Sequence, residues 1–306
     1  ARAMAVYTLG ITRGGGLAYI VGGAIYQHYA ASGGVVLPVL GAVSAWQVTF
    51  IAVGLPGLLV VALLSFIHEP RGAGPAEPAQ LSARAQPGLG EVAAQLRRHW
   101  RAYLGLIGAM SMLAILGYGT MAWYPEFLMR SFGMERAAAG ARFGTLFIIA
   151  GSLGALAGGW SVQPLGRRGY RDAPMRVILA CALLWLLPAV LGPLAPTADL
   201  AVLAAAPILF FLNAYFGVGI AGIQLITPAP MRAQVSALML FCTNLFGLAL
   251  GPSAVALLTD FAFGDDEMQG YSLLTLPLLV CPLAAALVLQ GQADYRIAVT
   301  HHPGNR

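Results

Sequence analysis

The sequence predicts an all-α integral membrane protein with about eight membrane-spanning helices, and three observations carry that prediction. The chain has 306 residues, of which 58% are hydrophobic and only 9% charged, whereas a soluble domain carries about 25% charged residues. Its apolar residues gather into eight runs, each near the ~20 residues a helix needs to cross the hydrocarbon core. Its cations are all arginine, and they alternate between connections.

The eight expected spans are residues 5–25, 46–67, 103–128, 143–162, 177–194, 200–225, 233–258 and 271–289. The first contains RGGGLAYIVGGAI at 13–25, apolar but rich in glycine and opened by Arg13. Pro125 is set to kink the third near its end, because proline removes a backbone donor. The fifth is shortened by Pro188 and Pro193. Thirteen of the seventeen arginines lie before span one, between spans two and three, four and five, six and seven, or after span eight. Arg130, Arg136 and Arg142 lie on the other side, and Arg13 falls inside a span. The positive-inside rule then places both termini in the cytoplasm of a multi-pass protein of the cell (inner) membrane. Asp260, Asp265, Asp266 and Glu267 mark the opposite face. The long connection 68–102 starts as a Pro/Gly/Ala-rich linker. It ends in a basic amphipathic stretch, 89–100, suited to the membrane surface with its arginines on anionic lipid.

Several function classes drop out. Cys181, Cys242 and Cys281 each sit in an apolar run away from histidine or another cysteine, as small buried hydrophobes do. No metal-ligand spacing or phosphate-binding loop appears. No nucleophile, acid–base pair or metal set clusters in the spans, so no enzyme, cofactor or metal site is expected. The arginines orient helices, so no nucleic-acid partner is expected either.

Small residues recur four apart in spans one, four and seven. They are Gly14, Ala18 and Gly22, with Gly23; Gly151, Ala155 and Gly159, with Gly154 and Gly158; and Gly247 and Gly251, followed by Pro252. Such stripes let helix backbones approach closely in lipid. Their recurrence every three spans points to the three-helix repeat of inverted-repeat transporters.

Five segments carry a more specific resemblance. They are RAMAVYTLGITRGGGLAYIVGGAI at the start, WQVTFIAVGLPGLL at 46–59, HEPR at 68–71, GGWSVQPLGRRGYRDAPMR at 158–176, and PMRAQVSALMLFCTNLFGLALGPSAVALLTD at 230–260. In order and spacing the chain resembles the major facilitator superfamily, and 230–260 is similar to its spinster-like branch. The resemblance implies a helical bundle of twelve helices in two halves, of which this chain matches helices 5 to 12. Residues 1–67 would end the N-terminal half, 68–102 would be the cytoplasmic central loop, 103–290 the C-terminal six-helix half, and 291–306 a cytoplasmic tail. The first four helices would be missing, so the chain reads as a fragment or remnant needing them for a complete transporter. Two departures stand out. Gln163 and Pro164 replace the charged positions of the family's cytoplasmic gate motif, although Arg167 and Arg168 remain. Tyr19 occupies the position of the antiporter-motif proline, so antiport is not implied.

Arg13 is the sharpest site candidate, since a central arginine in a span costs about 3 kcal/mol on translocon scales. It either lines the cavity and pairs with an anionic group, or snorkels to the interface from a helix that starts later. On the third span Tyr118, Trp123, Tyr124 and Glu126 are candidates for the substrate cavity, with Glu126 either a proton carrier or a rim charge. Asn213, Tyr215 and Asn244 sit inside apolar runs, where polar groups need partners; they face substrate or bond other helices. The expected function is secondary transport of a small organic or amphipathic, lipid-like solute, with protons as a possible coupling partner.

Overall fold

The computed structural model describes residues 2–32, 34–37, 41–66 and 87–300, residues 2–9 and 266 as backbone only. Helix α1 (Arg2–Ala31) leads through a two-stranded antiparallel ribbon, β1 (Val35–Leu37) and β2 (Gly41–Val43), into α2 (Ala45–Ser65). The ribbon was not expected from the sequence. It is made possible by Gly34 and Gly41 at φ of 101° and 69°, a region that side chains other than glycine's enter with strain.

The expected linker at 68–86 lies outside the described residues. The chain resumes with α3 (Leu89–Arg98) and α4 (Trp100–Phe132). Gly133, at φ 62°, closes α4 by returning its N–H to Leu128. One long span follows in two pieces, α5 (Arg136–Leu146) and α6 (Ser152–Arg167), joined by a π-helical turn at Phe147–Gly151. Then come α7 (Ala173–Leu191), α8 (Ala198–Ile226), α9 (Arg232–Leu257) and α10 (Gln269–Thr300), a second π turn, Leu258–Phe263, ending α9.

Among the described residues, seven spans are long and apolar enough to cross a membrane. They match expected spans two to eight. α1 is a helix of 30 residues but is not among the seven. Its six glycines and Arg13 dilute its hydropathy, so its place is decided by packing. α10 runs on to Thr300, past the expected end at 289. Its extra turns carry Gln292, Asp294 and Arg296, and each of these finds a partner on another element.

The core lies within α4–α10, with α4 running along α9 and α10 and flanked by α8. Trp185, Tyr124, Tyr295, Phe127 and Phe143 are fully buried there. Glycine sets the helix spacing. A Cβ on Gly105 would lie 2.7 Å from the Leu287 carbonyl, and one on Gly251 would lie 2.7 Å from that of Ile115. Gly154 and Gly158 bring α6 against the Phe210 and Ala214 carbonyls of α8. α2, by contrast, has no buried residue.

Candidate functional site

One polar and closely packed seam forms where α1 lies on the α5–α6 span. Thr12 Oγ1 and Ser152 Oγ are 2.9 Å apart. Further along, a Cβ on Gly16 would meet the Gly144 carbonyl at 2.5 Å, and one on Gly140 would meet the Tyr19 carbonyl at 2.5 Å. Tyr19 donates its hydroxyl to the Met121 carbonyl at 2.8 Å and sets its ring edge-on to Phe143. The closest face of α1 is therefore Gly16, Tyr19 and Gly23. The stripe expected at Gly14 and Gly22 is corrected: among the described residues nothing lies within 4 Å of a Cβ on Gly14, and Gly22 meets only Thr49. The neighbour that chooses the face is the Gly140–Gly144 pair of α5, whose spacing of four was itself visible in the sequence.

A polar cluster closes one end of the seam. Gln27 donates to Glu135 at 2.8 Å and accepts from the backbone N–H of Ala137 at 2.6 Å, so it caps the first turn of α5 from another helix. Arg136 lies 4.6 Å over the Tyr26 ring and 3.8 Å from Glu126, which also takes Arg130 at 2.9 Å. Beneath them is a cavity of about 320 Å³ bounded by Tyr19, Tyr26, Thr49, Glu126, Met129 and Arg136.

Thr12 fixes the depth of Arg13. Its partner Ser152 is the seventeenth residue of a 32-residue span. The neighbouring Gly151 abuts Asn213, near the middle of α8. Because α1 begins at Arg2, Arg13 is not at a helix start; it is exposed and makes no hydrogen bond or ion pair among the described residues.

The other candidates divide by environment. Tyr118, half-buried, donates to Asn244 at 2.9 Å, linking α4 to α9. Trp123 donates its indole N–H to the Pro252 carbonyl at 2.9 Å. Asn213 turns its amide back to Leu209 at 3.0 Å. Tyr124 and Tyr215 are buried within the six-span core, Tyr124 donating to Ala201 at 2.6 Å and Tyr215 packing on Trp185. Replacing Tyr124 with phenylalanine is expected to lower stability by about 1 kcal/mol, the usual worth of a helix-to-helix hydrogen bond in a membrane. Thermal unfolding in detergent checks this, and a Tyr124→Phe variant as stable as wild type would show that the bond to Ala201 contributes nothing.

At the arginine-rich end, Arg167 and Arg168 are exposed, and a carboxylate cluster forms beside them without touching either. Asp172, 2% exposed, accepts from Arg176 Nε at 3.0 Å, Arg296 Nε at 2.8 Å and Gln292 Nε2 at 2.6 Å. Burial pushes its carboxyl up, but these hydrogen bonds outweigh burial and hold it below the ordinary value. Beside it, Asp294 accepts from the Ala102 N–H and meets His99, both at 3.2 Å, fixing the start of α4 to the end of α10. Sequence reasoning missed this cluster. The available signal was a single carboxylate within RRGYRDAPMR.

Among the described residues no group of three or more histidine, cysteine or acidic side chains is placed to hold a metal.

The family model described as Major Facilitator Superfamily matches residues 1–252. A protein named MFS-type efflux pump from Mycolicibacterium smegmatis is 29% identical over 253 residues, covering 83% of this chain and 56% of that protein. The chain thus spans little more than half the length of that relative. Two crystal structures of a bacterial homologue of the human lysosomal transporter Spinster share the fold. The inward-facing unoccupied form aligns over 100% of this chain and 72% of its own at a TM-score of 0.67 and 20% identity. The inward-facing occupied form aligns over 100% and 71% at 0.61, also at 20% identity.

Proposed function

The chain belongs to the major facilitator superfamily, and from that premise we propose that it serves secondary transport of an amphipathic organic solute with an anionic group, by alternating access. The observation that carries this reading is Arg13: a mid-depth cation, exposed and without a partner among the described residues. An arginine at that depth is tolerated where it meets water, protein or an anion. The polar pair Tyr118–Asn244 is uncharged and set among apolar side chains of α9, which suits the apolar part of such a solute. Export is the direction favoured by the name of the Mycolicibacterium relative.

In this reading α1 and α2 belong to one rocking half and α4–α10 to the other. The arginine-rich end faces the cytoplasm of the inner membrane, following the positive-inside rule. The Gln27–Glu135 and Tyr26–Arg136–Glu126 contacts then latch the outer end. Glu126, already shared by two arginines, suits a latch better than a proton carrier. Coupling would draw on a proton or solute gradient.

The test is export of a fluorescent fatty-acid anion and of its neutral ester from cells carrying the native protein. Arg13→Gln is expected to cut anion export at least ~10-fold, as loss of one charge-assisted contact of about 1.5–3 kcal/mol implies. Arg13→Lys should retain part of it. Equal export of the anion by wild type and Arg13→Gln would reject the assignment.

A further inference from the structure

We infer that α3 is an interfacial arm that docks the arginine-rich end of the α4–α10 unit onto anionic phospholipid headgroups. The inference stands apart from the transport reading, because it rests on α3 and its seat alone.

α3 is held in one orientation. Val92 is buried, and Gln95 reaches the Ile226 carbonyl at the end of α8 at 3.5 Å. Gln234 of α9 donates to the Pro87 carbonyl just before α3 at 3.2 Å, and His99 just after it meets Asp294 of α10 at 3.2 Å. The arm is thus pinned at its start, middle and end by three different helices and cannot roll to bury its other faces.

Those faces are of two kinds. Leu89 is 82% exposed and Trp100, which opens α4, is 49% exposed; Leu104, one turn on, is 46% exposed. A large aromatic followed by exposed leucine where a span begins is the arrangement of a membrane interface. Arg97, Arg98 and Arg101 are exposed beside them, against the single carboxylate of Glu91 at the opposite end of α3. Arg101 lies 5.3 Å from the Trp100 ring, so guanidinium and indole share one level. A pinned helix with apolar side chains toward the acyl boundary and three arginines at headgroup level complements an anionic lipid surface. Neither a neutral lipid nor a soluble anion would use both faces.

The experiment uses the full chain in maltoside micelles, titrated with phosphatidylglycerol or phosphatidylcholine and read by native mass spectrometry. Wild type is expected to retain phosphatidylglycerol in preference to phosphatidylcholine. The Arg97→Gln/Arg98→Gln/Arg101→Gln variant is expected to lose that preference, with apparent affinity falling about tenfold, as removal of several surface cations implies. Arg167→Gln/Arg168→Gln/Arg171→Gln removes the same charge from the same end and should retain it. Leu89→Asp, which leaves the arginines and the buried face intact, should weaken retention as well. The inference is overturned if the α3 triple variant binds like wild type, if the 167/168/171 variant loses as much, or if Leu89→Asp has no effect.

Discussion

Replacing Asp172 with asparagine is expected to destabilise the protein by about 3 kcal/mol, the lower end of the range for breaking a buried ion pair from one side. The carboxylate is 2% exposed, while its arginines are 36% and 50% exposed. Losing the carboxylate therefore frees two cations that can still reach water, which keeps the effect from the top of the range. The measurement is thermal or denaturant unfolding in detergent, with an Asp172→Asn/Arg296→Gln cycle to isolate the pair. A coupling below about 0.5 kcal/mol would mean that the clasp is not energetically specific.

The same group sets a pH dependence. Its folded carboxyl titrates below the ordinary value of 3.8, so its contribution is fully present above that value. It is lost as pH falls through the lower folded value. Wild type should therefore lose stability in acid more steeply than Asp172→Asn, and parallel pH profiles would contradict the assignment.

The second large effect is expected at Gly144. Any side chain there meets the Gly16 carbonyl, with Ile20 and Tyr19 alongside. Because the obstacle is backbone, a helix must move, and overpacking of this kind costs about 1–3 kcal/mol. Gly144→Leu should separate α1 from α5, with Gly144→Ala intermediate. A Thr12→Cys/Ser152→Cys pair reports the separation through a short thiol cross-linker, since the native hydroxyls are 2.9 Å apart. Cross-linking that survives Gly144→Leu would show that the seam does not depend on this approach. Because α5 rests on α1 while α6 packs on α8, the π turn between them is where such a shift would be absorbed.

Much of the fold was legible in the sequence because the bilayer imposes local rules. Seven helices lie where apolar length put them, and α3 forms where basic amphipathic residues ended the long connection. α10 continues to Thr300 because charged residues that should end a span are paired instead with Asp172 and His99. Tyr118 and Tyr124 are less than two turns apart on one helix and look alike in sequence. One bonds Asn244 at a half-buried surface and the other is sealed against Ala201.

The sequence by itself determined the place and order of seven apolar spans, the arginine asymmetry between their ends, and the presence of small-residue stripes. These depend only on residues within one segment and on the solvent they meet. The tertiary structure alone decided which side of each helix turns inward. That choice is made by contacts between residues far apart in the chain: Gln27 with Glu135, Thr12 with Ser152, and Asp172 with Arg296. In lipid, apolar character is as well satisfied outward as inward. Close backbone approach and the pairing of polar groups are left to set helix rotation, and both require the partner helix to be in place.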